Sequence, residues 1–449
     1  IKAFLNKHKY PIMRVQGVFC GTHRVLDTEK QEINEILRKS VTKQRLNMNT
    51  AKILTREWVE NFIGNSHIIA SLPHISEVSF KGPDTAVLVA PGPSLNKNIH
   101  LLKELDGKAL IVSVLHALPR LVKENIRPDV VIHMDSKPDQ ELVDYLISSM
   151  DFEIPLLIVS SNLPRHYQNI PHTDIVWTEV SANVHFELCK FLDIQFPHLS
   201  GGNVSLYAFN LCAAWGIKNI VLVGQDLSYR GEQYYADSEG LENAIDVKST
   251  KVNTEAVEVE GYFGGVVKTS NDFSLFIDQF TQWAQTDLHK ESRVINCTEG
   301  GAKIPGFEQM PLSELIQITK KKAGRIELLL DFDRDKEAYF RQLFRDYLNH
   351  YLSETKYFLE HANVCSKIAR TKNPSQKQVE KRKLSEDELK RMSNENRILD
   401  VYLTRLATDT NDGNAGIINT VSSEEFYTKL CREVIRFRSL IVNALTNFP

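Results

Sequence analysis

The sequence predicts an α/β fold in which a mostly parallel sheet occupies the middle of the chain, with a helical lead-in before it and an all-α segment after it. Three observations predict this. Between Thr85 and Asp226 lie six short, β-branched-rich apolar runs, each bounded by polar, Gly or Pro residues. The segments between them, such as NIHLLKELDG, LPRLVKENI and DQELVDYLISSM, carry apolar residues at helical spacing. Beyond about Pro311 the strand signals stop and long helical stripes take over.

The first eighty residues read as helical, on EINEILRKSV and AKILTREWVENFIGN. The expected strands are DTAVLVA, KALIVSVL, DVVIHMD, IPLLIVS, TDIVWTE and IKNIVLVGQD. Strands that alternate with helices imply a parallel sheet covered on both faces. In the last segment Phe340, Leu343, Phe344, Tyr347, Leu348, Tyr351 and Leu352 fall on one helical stripe, and EEFYTKLCREVIRFRSLIVNAL repeats the pattern, so a helical bundle is expected. The implied domains are 1–80, 81–310 and 311–449.

Composition narrows the partners. With 25% charged residues and a net charge of -3, the chain is neither a polyanion binder nor a disordered acidic chain, and no nucleic acid is expected as partner. Its six cysteines are scattered without a CxxC pair, which fits reduced thiols rather than a zinc site. No apolar run reaches the ~18 residues that span a bilayer. The chain opens on Ile1, which leaves room for a longer natural N-terminus, and a soluble cytoplasmic protein without a membrane span is the expectation.

In a parallel sheet, ligands sit beyond the carboxyl ends of the strands. Four loops fall there. PGPSLNKN breaks a buried run, and Ser94 or Asn96 is placed to cap a following helix whose N–H groups would face a phosphate. It matches neither a Walker A loop nor GxGxxG. In HMDSKPDQ, Asp135 is placed to accept from a ribose hydroxyl or to cap a helix, and His133 reads as a core histidine. LSGGNVSLYAFN offers a second glycine bend, with Gly201 and Gly202 before a helix capped by Asn203 or Ser205; Tyr207 is expected to pack. VLVGQDLSYRGEQYY places Gln225 and Asp226 where a strand emerges, followed by Tyr229, Tyr234 and Tyr235 on a lid-like loop. Two further glycine pairs, in GYFGGVVKTS and TEGGA, read as substrate-facing loops that present Thr269, Ser270, Thr298 and Glu299.

Taken in this order, GPSL, Asp-x-Lys-Pro, SGGN, GQDLSY, GY-x-GG-x-V-x-T and TEGGA resemble the motility-associated factor (Maf) glycosyltransferases that modify bacterial flagellin, over roughly Leu46 to Gly306. The resemblance implies a Rossmann-like catalytic domain similar to the family 42 bacterial sialyltransferases, with no cofactor, no bound metal and a CMP-activated nonulosonic acid, pseudaminic or legionaminic, as donor. Gly92, Pro93 and Ser94 match the loop that holds the CMP part, although Ala90 and Pro91 stand where a first glycine is usual. Asp135 matches a polar strand-end residue, Ser200, Gly201 and Gly202 a turn beside phosphate and carboxylate, and Gly224, Asp226 and Tyr229 the Gly-x-Asp-x-x-Tyr segment. His116, Asn203, Gln225, Tyr262, Thr269 and Glu299 complete the expected donor site. The general-base histidine of the sialyltransferases has no counterpart in VEVEGYFGGVVKTS, which leaves Asp226, Glu258 or Glu260, with Asp226 preferred. Flagellin is the implied acceptor, through Ser or Thr. Two alternatives share these residues: a pterin pyrophosphokinase-like enzyme using ATP and Mg²⁺, and a flagellin-binding chaperone without catalysis.

Overall fold

A computed structural model describes residues 56–134, 139–161, 165–179, 191, 196–199, 202–229, 257–319, 327–395 and 424–448. The strands are β1 (Val78–Lys81), β2 (Thr85–Val89), β3 (Leu110–Val114), β4 (Val130–His133), β5 (Ile154–Ser160), β6 (His172–Thr178), β7 (Asn219–Val223), β8 (Val257–Glu260), β9 (Val266–Thr269), β10 (Arg293–Asn296), β11 (Glu308–Gln309) and β12 (Glu327–Leu330). The six apolar runs are thus strands β2 to β7. Among the described residues they form, with β10 and β11, an eight-stranded parallel sheet ordered β11-β10-β7-β2-β3-β4-β5-β6.

The strands are apolar throughout because both faces are covered. Ala86 and Leu88 of β2 join the core on one face, with Leu110, Val112 and Ile132; Val87 and Val89 join the core on the other, with Ile111, Val221 and Val223. Period two thus sends alternate residues of one run into two cores. Each fully buried side chain of this size contributes roughly 1.5–3 kcal/mol.

The helices are α1 (56–69), α2 (Leu95–Asn98), α3 (Leu118–Lys123), α4 (Gln140–Ser149), α5 (Val204–Ala214), α6 (Asn271–Ala284), α7 (Leu312–Ile318), α8 (Arg334–Ala369), α9 (Gln376–Glu395) and α10 (Glu424–Thr446). Helix α5 is apolar on all sides, and every residue from Ser205 to Ala213 is buried. It packs on β2, β3, β4 and β7 with one face and meets α6 with another. A helix apolar all round is one enclosed by protein.

Among the described residues, contacts divide the chain into two compact units rather than the three expected stretches: those within 1–67, 186–191 and 341–449 form one, and those within 68–185 and 192–340, which carry the sheet, form the other. Within the first unit, α1 joins the C-terminal helices: the Phe62 ring lies 6.2 Å from Phe344 and 6.3 Å from Tyr347, and Arg56 pairs with Glu433 at 2.7 Å. An amphipathic helix gains most of its stability from a partner face, and α1 finds one more than 280 positions along the chain. EINEILRKSV lies outside the described residues.

One expectation about the last segment is corrected. Strand signals do not end at Pro311, because Glu327–Leu330 forms β12, antiparallel to β1 with Val78 opposite Leu330. A four-residue strand is too short to display a period, and its partner lies about 250 residues upstream. Among the described residues no helix is long and apolar enough to cross a membrane. Cys212, Cys297 and Cys365 are buried free thiols.

Candidate functional site

The chain runs from β2 outward through β3, β4, β5 and β6, then returns to place β7 on the other side of β2. The direction of travel reverses between β2 and β7, and a crevice at such a switch point is where open parallel sheets bind ligands. A cavity of about 180 Å³ opens there, at the carboxyl ends of β2, β3, β4 and β7. Its walls come from Ala90 to Gly92, Val114 to His116, Ile132 and His133, Asn203 to Ser205, Gly224 to Ser228, and Phe273 with Phe276.

The two loops after β2 and β7 are stitched to each other. Ala90 N–H donates to the Val223 carbonyl at 2.9 Å and Gly92 N–H to the Gly224 carbonyl at 2.8 Å. Ser94 Oγ donates to Asp226 Oδ2 at 2.6 Å, and Ser94 N–H lies 3.2 Å from both carboxylate oxygens. Glycine is required at this junction, since a Cβ on Gly92 would stand 2.1 Å from Asp226 Oδ2 and one on Gly224 (φ +70°) would stand 2.2 Å from the Ala90 carbonyl.

This geometry corrects the reading of the first loop. Ser94 has helical dihedrals and its side chain caps nothing; α2 is a single turn that passes into a 3₁₀ segment, Ile99–Leu105. One turn sums too few peptide dipoles to form a strong anion site. The N–H of Ser94 already faces an anion, the carboxylate of Asp226. The Pro-Gly-Pro-Ser bend therefore shapes the rim of the cavity, and the chain's own aspartate fills the place expected for a phosphate.

Helix α5 supplies the second bend. Asn203 caps it, Oδ1 accepting from Leu206 N–H at 2.7 Å, and Gly202 (φ +98°) turns the chain into it from an exposed position. Asn203, Val204 and Ser205 line the cavity, so the positive end of an eleven-residue helix faces it. Gly92 and the Asn203 end of α5 line the same cavity, while Gly202 itself is not among its walls.

Beyond Asp226 the loop is held from outside. Thr298 Oγ1 accepts from Gln225 N–H at 3.1 Å, Ala302 N–H donates to the Asp226 carbonyl at 2.7 Å, and Thr269 Oγ1 donates to the Leu227 carbonyl at 2.7 Å. A Cβ on Gly301 (φ +71°) would lie 2.2 Å from that Asp226 carbonyl. Leu227 itself sits at φ +48°, a left-handed backbone that costs a non-glycine residue roughly 1–3 kcal/mol and persists only when its surroundings fix it.

The predicted residues separate accordingly. Gly92, His116, Asn203, Gly224, Gln225 and Asp226 line the cavity. Pro93 and Ser94 are buried in the adjoining bend, and half-buried Tyr229 ends the Asp226 loop, its N–H donating to the Lys268 carbonyl. Three others serve the framework instead. Thr269 is fully buried behind Leu227. Tyr262 donates to the carbonyls of Asn296 and Met310, and burial pushes its hydroxyl well above the usual phenol range. Glu299 Oε1 accepts from Leu312 N–H and Asn98 Nδ2, both at 3.0 Å, and so caps α7. The TEGGA loop is thus a brace for Asp226, and GYFGG is the tight turn of the β8–β9 hairpin. Glu260 is paired with Lys303 at 2.7 Å, and neither it nor Glu258 lines the cavity. Tyr207 packs as expected, its hydroxyl donating to Thr178 Oγ1 at 2.9 Å. Asp135, Ser200, Gly201, Tyr234 and Tyr235 lie outside the described residues.

Sequence reasoning missed several wall residues. His133 reads as a core histidine and is indeed nearly sealed, its ring 4.0 Å from that of Tyr167, yet it also borders the cavity. Ser205, read only as an alternative cap, and Ser228 each stand two positions after a residue the motifs singled out, Asn203 and Asp226. Phe273 and Phe276 carry no signal that separates them from core, being spaced like any buried pair on amphipathic α6.

Residues 60–232 match the family model described as 6-hydroxymethylpterin diphosphokinase MptE-like. The matched stretch includes β1 to β7 and the loops at Gly92, His116, Asn203 and Asp226, and it ends before the hairpin, α6 and the C-terminal helices. Among solved structures, a Maf glycosyltransferase from Magnetospirillum magneticum AMB-1 is similar over 90% of this chain, at 15% identity and a TM-score of 0.49. The chain covers 63% of that protein's length. No curated protein matches it.

Proposed function

We propose that the chain is an inverting glycosyltransferase that moves a nonulosonic acid from a CMP-activated donor to a Ser or Thr hydroxyl of flagellin, without a metal ion. The observation that carries this reading is the lining of the switch-point cavity. Among the described residues it offers a helix N-terminus, neutral polar groups and two imidazoles, while the one carboxylate there, Asp226, accepts from Ser94. Among the described residues, no three His, Cys, Asp or Glu side chains gather as a metal site. Such a lining suits a leaving group with a single phosphate better than the metal-bound triphosphate of the pyrophosphokinase alternative.

In the proposed step the acceptor oxygen bonds to the anomeric carbon from the face opposite CMP. The bond to the phosphate oxygen breaks, and its electron pair leaves with CMP. The N-terminus of α5 stabilises the charge that grows on that phosphate, a preorganised contribution of the kind that dominates many catalysed reactions. The acceptor proton passes to His116, which is half-buried on the cavity wall. Asp226 enters as organiser of the rim, because Ser94 already donates to its carboxylate twice.

Calorimetry with CMP, and separately with ATP plus Mg²⁺, tests the reading together with mass spectrometry of co-expressed flagellin. CMP binding and a mass increase on flagellin are expected. Binding of ATP and Mg²⁺ without CMP would replace it by the pyrophosphokinase, and stable flagellin binding with neither nucleotide by the chaperone.

A further inference from the structure

Two residues that line this cavity each carry a buried polar atom without a partner among the described residues. Gln225 is 7% exposed, and its Oε1 is buried with no hydrogen-bond partner among the described residues. Asn203 Nδ2 is buried and equally unpartnered. Both residues line the cavity. An unmet buried polar group is uncommon and costly in a folded protein, so two of them on one cavity mark what a ligand must bring.

Their chemistry is opposite. Oδ1 of Asn203 accepts from Leu206 N–H at 2.7 Å, which fixes Nδ2 as a donor beside the positive end of α5. That corner asks for an acceptor, and an anion most of all. Gln225, held at the end of β7 by its N–H to Thr298 Oγ1, presents an acceptor and asks for a donor. Phe273 and Phe276 supply an apolar wall on which a planar ring can lie.

Resting on the nucleotide-donor reading above, we propose that Asn203 and Gln225 are the specificity pair of this site: Asn203 Nδ2 with the N-terminus of α5 takes the phosphate, and Gln225 Oε1 takes the exocyclic amino group of cytosine. Uracil carries an oxygen where cytosine carries that amino group. It would set two acceptors against each other.

The experiment is calorimetry on the full chain with CMP, UMP and cytidine. Wild type should bind CMP about tenfold or more tightly than UMP, in line with the cost of leaving a buried acceptor unmet. Gln225→Leu should bring CMP to the UMP level, while Gln225→Glu, which keeps an acceptor, should retain the preference. Asn203→Asp keeps the oxygen that caps α5 but replaces the donor by a negative charge. It should weaken CMP and UMP alike by tenfold or more and leave cytidine unchanged. Equal binding of CMP and UMP by wild type, or a preference that survives Gln225→Leu, overturns the pairing while leaving the nucleotide site standing. Binding of none of the three overturns both.

Discussion

Ser94 and Asp226, 132 residues apart in sequence, are joined by a 2.6 Å hydrogen bond that closes the loop after β2 onto the loop after β7. Both are buried, and the bond crosses the point where the order of the sheet reverses. Hydrogen bonds to a charged group are worth about 1.5–3 kcal/mol. Asp226→Asn should lower stability by about that amount in urea denaturation, and Ser94→Ala by somewhat less because the backbone N–H of residue 94 still reaches the carboxylate. CMP affinity should fall in both, since both loosen the cavity rim.

Gly92→Ala should be strongly destabilising. Its Cβ would stand 2.1 Å from Asp226 Oδ2 and 2.3 Å from the Gly224 carbonyl, so backbone has to move. Gly216→Ala is the control: its backbone is left-handed at φ +74° but nothing lies within 4 Å of the added methyl, so it should cost only the roughly 1–2 kcal/mol of that backbone. A Gly92→Ala protein that melts no lower than Gly216→Ala would refute the account of the junction.

His116→Ala tests the proton acceptor. Loss of a general base slows the chemical step by roughly 10²–10⁴-fold. Glycan transfer to flagellin should fall within that range, with CMP affinity changed only a few-fold. A variant with unimpaired transfer would send the search for the base elsewhere.

Two buried groups give stability a pH dependence of opposite sign. Burial pushes the His289 imidazole down to about 4, where its Nε2 donates to Asn210 Oδ1 at 3.0 Å. Since the unfolded chain takes up that proton first, stability attached to His289 falls as pH drops from about 6.5 toward 4. Burial pushes the Asp129 carboxyl up to about 6, although Ile111 N–H donates to it at 2.8 Å. Here the folded chain takes up the proton first, so lowering pH from about 6 toward 4 adds stability. In urea titrations His289→Gln should therefore lose less stability than wild type on going from pH 7 to pH 5. Asp129→Asn, which mimics the neutral acid, should exceed wild type at pH 7 and lose that advantage near pH 4.

Tyr207→Phe should remove only the bond to Thr178, at about 0.5–1.5 kcal/mol, and leave CMP binding intact. A large loss of binding would mean that this hydroxyl reaches the site.

The sequence by itself determined the parallel sheet, because a strand buried on both faces must be apolar at every position, and runs such as TAVLV and NIVLV are legible as such. It also showed Gly92 and Asp226 just past those runs, on loops that wall the switch-point cavity, whereas Asn203, about 24 residues beyond the nearest preceding run, reaches that cavity only through the placement of α5. Tertiary structure alone decided what each of those residues does. Whether an N–H at Ser94 meets a phosphate or Asp226, and whether Glu299 faces a substrate or caps α7, depends on which distant loop arrives beside it. The same holds for β12 and for the union of α1 with the C-terminal helices. Local pattern records which faces are apolar, but the partner that covers a face is chosen by packing between residues far apart along the chain.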